Sequence, residues 1–267
     1  MQLKDTGLCI RKMDYSETSQ ILTFFTRGAG VIGGIAKGSR RNKSAFGGAV
    51  ELFAAGEIIY IPSKSGGLAT ITDFAPKPLF STARTSSTGL NGAYFAAEML
   101  AAFISNNDPH PQLFDRVMRF LVNIQQNKTP EAVLRLLIRF QMNLLKDVGL
   151  GLDIGRCANC SAAFDKIMQP QSPAAEGQSS NNFTANPSGI YFASDAGGMV
   201  CRDCEQAFVN KIPVSRTCFS LLRNESELDT APLRPLLEAQ RLIINHITHI
   251  RNKPPRSAAF FLDFKIR

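Results

Sequence analysis

Residues 16–44 read SETSQILTFFTRGAGVIGGIAKGSRRNKS, and the interpretation of this stretch decides the fold. Gln20 to Thr26 and Val31 to Lys37 are short runs rich in β-branched and aromatic residues, with Gly28 and Gly30 between them. The pattern predicts two strands joined by a tight turn. The run Gly28-Ala29-Gly30-Val31-Ile32-Gly33 also has the spacing of a dinucleotide-binding fingerprint. That reading requires a helix to open at the glycines. Gly33, Gly34 and Gly38, interleaved with Val31, Ile32 and Ile35, instead prolong a strand, so no nucleotide site is expected. No GxxxxGK[ST] phosphate loop occurs either.

Working outward, Gly7 to Tyr15, Glu51 to Pro62 and Leu68 to Phe74 have the same strand character. Five strands within about 80 residues, with little helical periodicity, predict a small closed barrel, because an open sheet of this size leaves a bare face and bare edges. Beyond residue 89 the period changes. Tyr94, Phe95, Met99, Leu100 and Phe103 recur at helical steps, as do Val133, Leu134, Leu137, Phe140, Leu144 and Leu145. Thr129, Pro130 and Glu131 supply a helix start and Gly149 a stop. Leu233 to Ile250 predicts a further long helix, ended near Pro254 and Pro255. The expected fold is α+β and multidomain: a barrel over residues 1–80, a helical domain over 81–156 and 205–267, and a cysteine-bearing element over 157–204.

The chain has 267 residues and a formal net charge of +8, with no 18-residue apolar run. A membrane-spanning chain is not expected, and 44 % hydrophobic residues can fill real cores. The first residues, Met1-Gln2-Leu3-Lys4-Asp5, have no signal-peptide or transit-peptide character, so a cytoplasmic location is expected. The charge is unevenly placed. Between Glu17 and Glu51 there is no acid, yet Arg27, Lys37, Arg40, Arg41 and Lys43 fall in that window. A loop of cations and small residues at a barrel mouth suits a phosphate backbone, and the competing reading is a solvated basic face.

Cys157 and Cys160 form one CxxC pair and Cys201 and Cys204 another. Four thiolates in two tight turns suit one Zn²⁺ in a closed tetrahedron. The halves are 40 residues apart, beyond the usual ~15–20, and the excess is mostly Gln169 to Ser188, a Pro-, Ser- and Asn-rich insertion expected to be flexible. Doubling a loop costs only ~0.6 kcal/mol of closure entropy, so the insertion does not threaten the site. A closed set of four cysteines leaves no open position for catalysis, and the zinc is expected to be structural. Cys9 and Cys218 are expected to be buried apolar residues, and His246 and His249 ordinary helix-surface residues. No Ser, His and Asp grouping, paired carboxylates or HExxH motif is visible, and no enzyme is expected.

The stretch 16–44 resembles the N-terminal signature of the RecO family of bacterial DNA repair and recombination mediators. The resemblance is carried by Glu17, Thr18 and Ser19, by Thr26 and Arg27, and by Ala36, Lys37, Gly38, Arg40 and Arg41. The helix before Gly149-Leu150, the CxxC pairs and Arg256-Ser257 follow in the family's order. The resemblance implies an N-terminal OB-fold barrel, a helical bundle and a zinc-binding element set against it. It implies binding of single- and double-stranded DNA and annealing of complementary strands. With RecR, it implies loading of RecA onto DNA coated by single-stranded DNA-binding protein, at the nucleoid. Two further hypotheses compete. One is a zinc-ribbon module that binds a protein through Arg116, Arg119, Arg135 and Arg139; the other is a zinc-dependent nucleic-acid hydrolase, disfavoured by the closed ligand set.

Overall fold

The structure is a computed structural model and describes residues 1–41, 43–77, 87–127, 129–167, 186 and 188–262. Its first part is a closed five-stranded barrel of OB type: β1 Leu3–Asp14, β2 Gln20–Thr26, β3 Gly30–Ala36, β4 Ala55–Ile61 and β5 Ala69–Lys77. The strands close in the order β1-β2-β3-β5-β4, with β4 returning to β1. All pairings are antiparallel except β3 with β5, where Gly34 faces Ala69. Cys9, Leu22, Phe24, Ile58, Ile71 and Phe74 fill the interior, and the rings of Phe24 and Phe74 lie tilted at 5.0 Å. Closure removes the bare edges that a five-stranded open sheet would carry.

The register of β1 against β2 shifts between Cys9 and Arg11, as a β-bulge does. Before the shift Cys9 sits opposite Phe24, both inside the barrel. After it, Lys12 and Asp14 share the face of Leu22 and Gln20, while Arg11 and Met13 share the outward face of Thr23 and Ile21. All four of these β1 residues, Arg11 to Asp14, are exposed, so beyond the bulge the strand runs out over the barrel's rim.

The chain divides into two compact units. The first holds residues 1–129 and 255–260, and the second residues 130–254 and 261–267. The first unit runs past the domain boundary expected at residue 80, because the barrel carries apolar groups on its outside as well. Phe25 packs on Phe114 of α2 (Pro111–Gln126) with centroids 5.6 Å apart, and Phe53 meets Tyr94 of α1 (Ser87–Phe103) edge-on at 5.2 Å. Both helices therefore belong to the barrel unit. At Gly30, with φ of 69°, a Cβ would lie 2.1 Å from the Asp108 carbonyl oxygen, so the turn between β2 and β3 admits only glycine. Glu98 of α1 accepts from the backbone N–H groups of Arg256 and Ser257 and from the Ser257 hydroxyl, which ties the late Arg-Ser pair to this unit.

The second unit contains α3 (Pro130–Asp147), α4 (Phe164–Ile167), α5 (Arg216–Arg223), α6 (Leu233–Arg251) and a small sheet in the order β7-β6-β8. Its strands are β6 Ile190–Ala193, β7 Gly198–Cys201 and β8 Lys211–Pro213, and a short helix α7 (Ala259–Leu262) follows. The small sheet packs on α6 through Phe192, whose ring meets His246 edge-on at 5.5 Å. His246 is thus a buried residue and not a helix-surface one. Burial, aided by His249, holds its imidazole down to about 4 against the Leu150 carbonyl. His249 is exposed, 3.4 Å from Asp195. Cys9 and Cys218 are buried, as expected, and burial pushes the Cys9 thiol up to about 12. Apart from Asn186 and Ser188, the insertion from Gln169 to Ser188 lies outside the described residues.

Candidate functional site

The basic loop follows β3 and is held by bonds to the turn between β1 and β2. Gly38 adopts φ of 73° and its N–H donates to Ser19 Oγ at 3.4 Å. The Arg40 N–H donates to the Thr18 carbonyl and the Arg41 N–H to the Gly38 carbonyl, each at 3.1 Å. Beneath them lies a buried polar node. Gln20 Oε1 accepts from Ser39 Oγ at 3.0 Å and from the Val50 N–H at 2.9 Å, and Ser44 Oγ returns to the Ser39 carbonyl at 3.2 Å. Phe46 and Val50 then enter the barrel core. The loop is therefore a fixed ledge and not a tether.

Gln20 and Ser39 escaped the sequence reading. The available signal was a lone amide at the head of an otherwise apolar strand, and a serine flanked by Gly38 and Arg40. Replacing Gln20 by alanine leaves the Ser39 hydroxyl and the Val50 N–H without their shared acceptor, a loss on the order of 3 kcal/mol. The expected outcome for Gln20→Ala is a lowered unfolding midpoint, with faster amide exchange concentrated over residues 37–50. Uniform exchange across the barrel would contradict the node's role.

Lys37, Arg40, Arg41 and Lys43 are all exposed. They are not equivalent. Arg40 Nη1 lies 3.2 Å from the Ser16 carbonyl and 3.5 Å from the Asp14 carboxylate. Lys37, Arg41 and Lys43 have no ion pair among the described residues. Arg27 stands apart, since its guanidinium donates twice to Asp115 of α2, both bonds at 3.0 Å. These bonds raise the Arg27 pKa and hold the Asp115 carboxyl below its ordinary range. Arg27 thus fastens the β2–β3 turn to α2.

Because the folded Asp115 titrates below the unfolded one, this pair stabilises the fold above the unfolded carboxyl's ordinary pKa and ceases to as pH falls through the folded value. Both side chains are half exposed, which limits its worth. Arg27→Met is expected to lower the melting midpoint by at most about 2 °C near neutral pH, less in high salt and not at all once Asp115 is protonated. Melts across pH, with Asp115→Asn as the partner variant, check this.

The arginines of the protein-module hypothesis are largely committed. Arg139 reaches Asp229 at 3.1 Å and Glu225 at 3.7 Å, Arg135 donates to the Ala231 carbonyl at 2.8 Å, and Arg119 Nε donates to the Asp115 carbonyl at 3.4 Å. Arg135 and Arg139 tie α3 to the segment before α6, and Arg119 bonds within α2.

In the second unit the Sγ atoms of Cys157, Cys160, Cys201 and Cys204 all lie within 4.8 Å of one another, and Cys160 and Cys201 are 3.8 Å apart. Four thiolates at ~2.3 Å from one tetrahedral cation stand ~3.8 Å apart, so the cluster fits a metal ion. A disulfide needs ~2.05 Å, and all six cysteines are free. The first pair sits on a turn in which the Cys157 N–H donates to the Ala162 carbonyl and Ser161 takes φ of 62°. The second pair leaves the end of β7, and the Cys201 N–H donates to Cys157 Sγ at 3.4 Å. Burial pushes Cys201 up to about 12. Burial works against the Cys157 thiolate too, but N–H donors from Cys160, Cys201 and Asn159 hold that thiol down to about 6. A divalent cation is the partner that would make four neighbouring thiolates mutually tolerable.

Comparison with known proteins is consistent along the chain. The family model for the N-terminal part of recombination protein O matches residues 1–78, and the model for its C-terminal part matches residues 84–249. A DNA repair protein RecO from Rhodopirellula baltica is 27 % identical over 229 residues, which is 86 % of this chain and 76 % of the relative. One from Alkaliphilus metalliredigens is 26 % identical over 243 residues, covering 89 % and 88 %. One from Dehalococcoides mccartyi is 26 % identical over 267 residues, covering 97 % and 94 %.

Proposed function

This chain belongs to the RecO family of DNA repair proteins, and we propose that it acts as a non-catalytic mediator that binds single- and double-stranded DNA and anneals complementary strands. The observation that carries this reading is the fixed ledge after β3 with Lys37, Arg41 and Lys43 exposed and free of ion pairs among the described residues. Cations on a rigid support neutralise phosphates without the entropy loss of ordering a loop, and release condensed counterions in doing so. Two strands held at such a surface repel each other less, which favours pairing. Arg40 contributes a charge already shared with Asp14, and Arg27 is engaged by Asp115.

With RecR, such a protein would help load RecA onto strands coated by single-stranded DNA-binding protein, working at the nucleoid in the cytoplasm. No helix among the described residues is long and apolar enough to cross a membrane. Cys157, Cys160, Cys201 and Cys204 would hold one structural Zn²⁺, which supplies a charge centre that fixes the two CxxC turns. The donor set is all thiolate, the soft class that selects zinc over magnesium or calcium. Residues here do the rest: Cys157 accepts the Cys201 N–H, and β6 carries β7 onto α6. Gel shifts and strand annealing by the intact zinc-loaded chain at low salt test the reading. Complexes that dissolve as salt rises, with the DNA recovered uncut, are expected; failure to shift or anneal bare DNA at low salt would refute it.

A further inference from the structure

The outer face of the barrel at β1, β2 and β3 is apolar where it meets the basic ledge. Met13 of β1 is 48 % exposed and sits opposite Ile21 of β2, which in turn faces Ile35 of β3. Tyr15 follows directly on the end of β1, 63 % exposed and without a ring partner among the described residues. The other tyrosines have a place: Tyr60 and Tyr191 are buried, and Tyr94 packs on Phe53. The backbone at Tyr15 is fixed, with its N–H donating to the Ser19 carbonyl at 3.0 Å and the Ser16 N–H to the same carbonyl at 3.2 Å. Arg40 bonds to the residues on both sides of it, Asp14 and Ser16. An exposed aromatic residue thus stands on a hydrogen-bonded turn whose neighbours on both sides are bonded to Arg40 of the ledge.

We infer that Tyr15 is a stacking seat for an unpaired base of a single DNA strand whose phosphates lie along Lys37, Arg41 and Lys43. The inference rests on the DNA-binding reading of the ledge. A ring on a rigid turn offers a π-face to any base, and stacking is sequence-tolerant, as an annealing protein requires. A base within a duplex has both faces covered by its neighbours and offers none, so the seat separates single strands from duplexes where the cations cannot. The charged groups of this turn and ledge favour an anionic chain: Arg11, Lys37, Arg40, Arg41 and Lys43 are exposed, against Asp14, already bonded to Arg40, and Glu17. A protein partner would use the same apolar face without needing the cations beside it.

The sequence contains no tryptophan, so Tyr15→Trp installs the sole indole as a reporter. Its fluorescence is expected to be quenched by an unstructured single-stranded oligonucleotide and not by a duplex closed by hairpins at both ends. Tyr15→Ala is expected to weaken single-strand binding about 5- to 150-fold, leave duplex binding within about twofold and leave the salt slope unchanged, while Tyr15→Phe binds as the native chain does. Equal losses on both DNAs, unchanged single-strand affinity, or an unquenched indole would overturn the seat. The ledge is tested apart by neutralising Lys37, Arg41 and Lys43. If the salt slope persists there while the indole is quenched, the ledge reading fails and the seat stands; the reverse pair of results removes the seat alone.

Discussion

Neutralising Lys37, Arg41 and Lys43 together, each to glutamine, is expected to lower DNA affinity by about two decades at ~0.1 M salt and to flatten the salt dependence by ~2–3 log units. Counterion release sets both effects. Each phosphate contact contributes ~0.7–0.9 to the slope of log affinity against log salt, and at ~0.1 M the same factor is nearly a decade of affinity. The three side chains are exposed and unpaired among the described residues, so their loss leaves the fold intact. Arg40→Gln is the internal comparison. Its guanidinium is shared with Asp14 and the Ser16 carbonyl, and the expected slope change is smaller than for any of the three. Gel shifts over a salt series measure both quantities, and a triple variant with the native slope would remove the ledge from the DNA path.

Removal of the metal carries the second large effect. Chelation, or Cys201→Ser, is expected to lower the melting midpoint of the second unit steeply, with one zinc ion released per chain and protons taken up by the freed thiolates. Zinc binding to small peptides is worth ~10–16 kcal/mol near neutral pH, an upper bound here because β6 also packs on α6 through Phe192 and His246. Burial sets the order among the ligands. Cys157 and Cys201 are buried and Cys160 is exposed, so serine at either buried position leaves a poorer ligand with no access to water and costs more than Cys160→Ser. Affinity should fall as pH falls, since protons compete with the cation for thiolate. Salt-dependent DNA binding should survive, because every bond that fixes the ledge lies within residues 14–50. A midpoint unchanged after chelation of a zinc-loaded sample would contradict the structural role; loss of DNA binding on chelation would place zinc in the function itself.

Much of the architecture was legible because it is periodic. Strand β2 begins and ends at Gln20 and Thr26 as its composition predicts, and α3 starts at Pro130 and stops before Gly149, whose φ of 75° suits glycine. Strand β1 was harder: it begins at Leu3, where Lys4 and Asp5 hide the pattern, and it is held there by pairing with β4 some fifty residues on. The small sheet behind the second CxxC pair was missed altogether, since β6, β7 and β8 are each too short to establish a period. The cysteine cluster was legible from spacing alone, and the four Sγ atoms do converge.

What the sequence determined by itself was the barrel, the long helices, the cysteine cluster and the window without acids, all of which follow from the order of residue types along a few turns or strands. What only the tertiary structure decided was which of these charges and polar groups remain free. Arg27 is taken by Asp115, 88 positions away, Gln20 by Ser39 and Val50, and Arg139 by Asp229. His246 is buried by Phe192. Helical and strand periods are local properties of the backbone, whereas the partner of a side chain depends on which distant segment the core brings within about 3 Å of it. The net charge was there to be counted from the start, and of the basic residues between Glu17 and Glu51 the fold leaves Lys37, Arg41 and Lys43 without an ion pair among the described residues.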